Sequence, residues 1–199
     1  MANQAGLGRP REFELEDAAR AAMDVFWDLG YEGATLPDLI AGTGQSRGSL
    51  YKAFGDKKGL LLAALDLYIA AGLKATADLL SQPGPVKEAI RASLLRYAAL
   101  SSGDAGRRGC LAVAMTTELA ARDPDVAERT GRLFRRLQQL YAAAIVRGQA
   151  GGEIPDRDEQ AMARFLVCQI QGMRVVGKTG ASDAEMLAVV DNTMRALET

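Results

Sequence analysis

Histidine is absent from the 199 residues, which removes Ser-His-Asp and Cys-His catalysis together with the commonest metal ligand. The two cysteines, Cys110 and Cys168, lie too far apart in the chain for a CxxC zinc pair and are too few for a disulfide framework. One segment, Gly172-Met173-Arg174-Val175-Val176-Gly177-Lys178-Thr179, has the letters of a phosphate loop, GxxxxGK[ST]. A phosphate loop follows a strand and opens a helix. Here the spacer is bulky, the preceding residues continue a helical pattern, and only 20 residues follow Thr179. Nucleotide hydrolysis is not expected, and neither is any metal, cofactor or other enzyme chemistry. What remains is a short run around Ser46-Arg47-Gly48-Ser49-Leu50-Tyr51-Lys52, with Lys57 beyond it. Its cations and hydroxyls are hydrogen-bond donors of the kind that phosphates and base edges accept.

The elements that must hold this run are helices. Hydrophobic residues make up 48% and charged residues 25%, enough apolar material for a real core in a globular chain. Alternating strand patterns are missing. Leu15, Ala18, Ala19, Ala22, Phe26 and Leu29 share one face of a helix over 14–30, with Gly30 as its stop. Thr35, Pro37 and Asp38 read as the capped start of a short helix to about Ala41, and Ser46 caps the next. Asp56 caps a long helix over 57–80, which Pro83-Gly84-Pro85 breaks. Further helices are expected near 86–100, 110–121 and from Asp123-Pro124 to Gly151, with a loop over 101–109. The last two begin at Asp156 and at the capping box Ser182/Glu185. The expected fold is all-α, about nine helices, with a three-helix head over 1–56 and a larger helical domain over 57–199. No stretch is read as a transmembrane span, and the first residues lack the apolar centre of a signal peptide, so no membrane association and a cytoplasmic location are expected.

A short helix, a turn containing Gly42 and Gly44, and a second short helix form a helix-turn-helix. The run Thr35…Gly44-Gln45-Ser46-Arg47-Gly48-Ser49-Leu50-Tyr51-Lys52-Ala53-Phe54…Lys57…Leu60 resembles the DNA-binding segment of the TetR family of bacterial transcriptional repressors, over about residues 10–62. Gln45 and Thr43 depart from that family's usual apolar residue and alanine in the turn. The resemblance implies that Tyr51 and Lys57 contact phosphates, that Ser46, Arg47 and Gly48 open the recognition helix, and that Ser49 and Lys52 touch bases or backbone. Thr35 and Gln45 join this candidate set.

Net charge is only −1, and residues 1–60 hold seven Lys/Arg against nine Asp/Glu. Affinity for DNA follows the cations at the interface, and 47–58 hold Arg47, Lys52, Lys57 and Lys58 against Asp56 alone. Gly8-Arg9-Pro10-Arg11 is expected to precede the first helix as an arm, placing Arg9 and Arg11 in a minor groove.

The remaining residues read as a sensor and a dimer interface. Helices at about 157–178 and 183–197, with Phe165, Leu166, Ile170, Met173, Leu187, Val190, Met194 and Leu197 beside Gly172 and Gly177, are expected to join two copies as a homodimer. Leu65, Tyr68, Leu94, Tyr97, Phe134, Leu137 and Tyr141 are candidates to line a pocket for a small, mostly hydrophobic effector. Cys110, after Arg107-Arg108-Gly109 at an expected helix start, is a further candidate there, and its setting suits a reactive thiol. Cys168 is expected in the core. The reading is an effector-released repressor of a double-stranded operator. Its alternatives are a thiol-sensing repressor acting through Cys110 and a helical protein-binding adaptor.

Overall fold

The computed structural model describes residues 9–198, with side chains from Leu15 onward. It contains α1 (Arg9–Gly33), α2 (Leu36–Thr43), α3 (Arg47–Phe54), α4 (Lys57–Leu80), α5 (Val86–Ala99), α6 (Gly103–Arg108), α7 (Leu111–Leu119), α8 (Pro124–Ala150), α9 (Glu159–Val176) and α10 (Asp183–Ala196), with a 3-10 turn at Gly177–Thr179. There is no strand among the described residues. Two compact units divide the chain, one ending at Tyr68 and the other beginning at Ile69, so their boundary falls inside α4.

Local side chains set most helix starts. Thr35 caps α2 in a two-way box with Asp38: the Thr35 N–H donates to Asp38 Oδ2 at 2.8 Å, while Thr35 Oγ1 accepts from the Asp38 N–H. Gly44 then adopts φ 66°, the left-handed stop of α2. Ser46 Oγ accepts the Ser49 N–H at 3.1 Å, and Asp56 Oδ1 accepts the Gly59 N–H at 2.7 Å. In the second unit, Asp123 opens α8 with Pro124, and Ser182 with Glu185 repeats the two-way box at α10.

Four expected boundaries move. The first helix starts at Arg9, so Arg9, Pro10 and Arg11 lie in its first turn instead of forming an arm ahead of it. Proline is compatible there because first-turn N–H groups have no intrahelical acceptor. The side chains of Arg9 and Arg11 lie outside the described residues. Gly30, at φ 73° and ψ 177°, kinks α1 rather than ending it, and one more turn runs to Gly33. The loop expected over 101–109 contains α6. Finally, Asp158 and not Asp156 caps α9, its Oδ1 accepting from Gln160 and Ala161 at 2.9 and 3.0 Å.

The first unit buries Ala22, Phe26, Leu39, Leu50, Leu61 and Leu65, and the second buries Ile90, Leu94, Leu111, Met115, Ile145, Leu166 and Val190. α4, with a mean hydropathy of 1.6 over 18 residues, is long and apolar enough by length and composition alone to cross a membrane, against the expectation of no such stretch. It nonetheless carries Asp66 and Lys74 and buries Leu60, Leu61, Ala64, Leu65, Thr76 and Leu80 against protein.

The capping boxes predict an acid response. Hydrogen bonds from Thr35 hold the Asp38 carboxyl below its ordinary range, and Ser182 does the same for Glu185. A depressed folded value means stability that is present above the unfolded value, near 4, and lost as pH falls through the folded one. Circular-dichroism melts should therefore drop below about pH 4. The Asp38→Asn variant should melt earlier at neutral pH and lose less on acidification. An identical acid response in wild type and variant would remove the box from the account.

Candidate nucleic-acid interface

In the first unit the spacing of α3 divides it sharply. Leu50 is 2% exposed and anchors the helix, whereas Ser46, Arg47, Gly48, Ser49 and Lys52 are all exposed. The two serine hydroxyls sit 3.0 Å apart at the start of α3. Only Ser46 Oγ, at 3.9 Å, lies within 4 Å of where a Gly48 Cβ would stand, so this face is open. Tyr51 is half-buried, with the Arg47 guanidinium 5.3 Å from its ring centroid. Such a face presents helix N–H groups, hydroxyls and cations together, the donor set that phosphates and base edges accept.

The turn explains how its two unusual residues are accommodated. Thr43 Oγ1 donates to the Leu39 carbonyl at 2.7 Å and accepts the Gln45 N–H at 3.2 Å. The hydroxyl thus ties the turn internally, and Gln45 stays exposed. Thr35 is exposed as well, but its hydroxyl is engaged in the cap of α2.

Tyr31 was missed in the sequence. Its ring stacks on the buried Phe26, with centroids 6.2 Å apart and planes 22° from parallel, and the Lys57 ammonium lies 4.6 Å from its centroid. The signal that could have found it is the aromatic directly after Gly30, whose positive φ kinks the helix at that point.

The candidate effector residues fall into both units. Leu65 is buried and Tyr68 half-buried in the first, where Tyr68 meets Trp27 edge to face at 4.9 Å. In the second, Leu94, Leu137 and Tyr141 are buried, Phe134 is half-buried, and Cys110 is the buried N-cap residue of α7. The two phenols are already hydrogen-bonded: Tyr141 to Ser93 at 2.7 Å and Tyr97 to Thr76 at 2.8 Å. Burial pushes the Tyr141 phenol far above its ordinary value, so it acts only as a neutral hydroxyl. No group of three His, Cys, Asp or Glu side chains able to hold a metal occurs among the described residues.

The last two helices differ in detail from the sequence reading. Leu166, Ile170, Met173, Val190, Met194 and Leu197 point into the core of their own unit and are not free for a partner. The outward face instead carries Cys168, Gly172, Val175, Val176 and Leu187, with Phe165 half-buried. Cys168 is therefore exposed, contrary to its expected core position, because it is rotated about 100° from the buried Val167. Gly177 packs on Ser101 of the same chain, and the helix running through Val176 rules out a phosphate loop at 172–179.

An all-helical chain with a capped helix-turn-helix and an exposed, cationic second helix defines a DNA-binding regulator. Profile comparison matches residues 19–64 to bacterial regulatory proteins of the tetR family and residues 86–191 to the tetracyclin repressor-like C-terminal domain. The HTH-type transcriptional repressor ComR of Escherichia coli (strain K12) is 34% identical over 190 residues, covering 94% of this chain and 90% of ComR. The HTH-type transcriptional regulator YezE of Bacillus subtilis (strain 168) is 30% identical, covering 96% of this chain and all of YezE. A cysteine variant of the TetR-family regulator CifR, solved with 26-bp operator DNA, superposes with a TM-score of 0.80 at 30% identity over 98% of this chain and 100% of its own. The chain belongs to the TetR family of DNA-binding transcriptional regulators.

Proposed function

We propose that this chain is a homodimeric repressor of the bacterial cytoplasm that holds a double-stranded operator and leaves it when a small effector binds the second unit. The observation that carries this is the exposed Ser46–Lys52 face of α3, set by the buried Leu50. The likeness to a DNA-bound relative supports it. Arg47, Ser49 and Lys52 face base edges, and Tyr51 and Lys57 face phosphates. The outward apolar strip of α9 and α10 joins the two copies, which sets two recognition helices one helical turn, about 34–36 Å, apart. An effector that favours another spacing of the heads shifts the population off DNA.

Tyr31 gives this reading a quantitative test. Its ring holds Lys57 where a phosphate can meet it. Lys57→Ala should weaken all DNA sequences alike and reduce the salt slope by about one unit per subunit. Tyr31→Leu should produce part of the same loss, Tyr31→Phe almost none, and the double variant less than the sum. Wild-type affinity and slope in Lys57→Ala would refute the phosphate assignment. Strictly additive losses would remove Tyr31 alone.

A second reading, release through Cys110 chemistry, is favoured by the place of that thiol at the N-terminus of α7. Under it, mild peroxide frees the wild type from operator DNA and leaves Cys110→Ser bound. Under the non-covalent reading both proteins stay bound in peroxide and both leave with effector.

A further inference from the structure

α7 begins without a cap. The side chain of Cys110 makes no capping hydrogen bond, and Leu111 and Ala112 in the first turn have no exposed surface at all. Their N–H groups are thus helix-terminal donors with no intrahelical acceptor, on residues closed to solvent. Arg174 of α9 arrives at the same place. It is 4% exposed, its Nη2 donates to the carbonyl of Gly109, the residue before the cap, and its Nη1 is buried with no hydrogen-bond partner. No carboxylate pairs with it among the described residues. Lys178 packs over Gly109 so closely that a Cβ there would come within 2.8 Å of its methylenes, bringing a second basic residue to this corner.

Burying a guanidinium without a counter-charge is costly, and so is burying unpaired amides. One anion would answer both, because the helix dipole and the guanidinium favour the same sign of charge. We infer that the α7 N-terminus and Arg174 form a buried site for an oxyanion, a carboxylate or phosphate group. The group is either a free ion or the anionic end of the effector. The second case rests on the effector reading above and refines its ligand to a mostly apolar body with one acidic group. The binding itself is tested without DNA.

The test is thermal unfolding of the full chain at pH 7 and fixed ionic strength, with chloride replaced stepwise by phosphate, acetate or benzoate. At tenfold the half-saturating concentration the wild-type midpoint should rise by about 3–6 °C with at least one of them. Arg174→Met keeps the volume, removes the charge and should abolish the rise. Arg174→Lys, which keeps the charge without the forked donors, should reduce it and serves if the Met variant does not fold. No rise with any of the three anions, or equal rises in wild type and variants, would overturn the site. A purely structural Arg174 would lower the midpoint equally in every anion. Operator release by benzoate but not by benzamide assigns the anion to an effector, whereas stabilisation without release assigns it to a free ion. Release by none of the three would remove the acidic-effector case alone and leave both the site and the effector reading standing.

Discussion

Gly59→Ala is expected to destabilise the head by about 2–4 kcal/mol, although an alanine in a helix ordinarily gains about 1 kcal/mol over glycine. The reason is steric. A Cβ at position 59 would lie 1.9 Å from the Phe54 carbonyl oxygen and 3.0 Å from its carbon. That carbonyl belongs to the last residue of α3 and cannot swing aside like a flexible side chain. The substitution must push the recognition helix away from the start of α4, where Asp56 caps the Gly59 N–H and Lys57 stands over Tyr31. Trp27 is the only tryptophan and lies in this unit, so its fluorescence reports the loss directly. The midpoint followed at Trp27 should fall and operator affinity with it. A raised midpoint would mean that the close approach is not real and that helix propensity alone governs the site.

Gly177→Ala should cost the second unit a similar ~2–4 kcal/mol. Its φ of −54° is ordinary, so the backbone itself would accept any residue. A Cβ, however, would come within 2.2 Å of the Ser101 carbonyl oxygen, and that oxygen is also 2.5 Å from where a Gly106 Cβ would stand. Two glycines therefore enclose one carbonyl, and neither side can yield. Gly172→Ala is the matched comparison. No atom lies within 4 Å of its Cβ position, so it should leave the monomer unchanged or stabilise it by about 0.5–1 kcal/mol. Denaturant titration followed by circular dichroism separates the two outcomes. Equal effects of the two substitutions would contradict this packing.

What the sequence disclosed was local chemistry. Thr35 with Asp38, Ser46, Asp56 and Ser182 with Glu185 act within one turn of their own positions, so these helix starts and the helix-turn-helix are legible in the sequence. Tertiary relations were not. The apolar stripes of α9 and α10 were too wide to say which edge faces inward, hence the misplacement of Cys168 and of the residues assigned to the partner. α6 was hidden because Gly103 and Gly106 read as loop, whereas Gly106 is needed where the Ser101 carbonyl comes close. Tyr31 under Lys57 and Arg174 beside Gly109 join residues distant in the chain, and no period or spacing encodes such a meeting. Within the head, the exposed face of α3 could be read because one buried residue, Leu50, fixes its rotation.

Whether this face reads an operator is decided by selecting bound fragments from sheared genomic DNA of the source bacterium. Wild type and Arg47→Ala should be compared at the same salt concentration. The wild type should enrich fragments sharing an inverted repeat, with half-site centres about 10 base pairs apart or a multiple of that. Arg47→Ala should still bind, with relaxed preference at defined positions in each half-site. No enrichment by the wild type above non-specific binding, or an unchanged motif when Arg47 and Lys52 are both alanine, would contradict operator reading by this face.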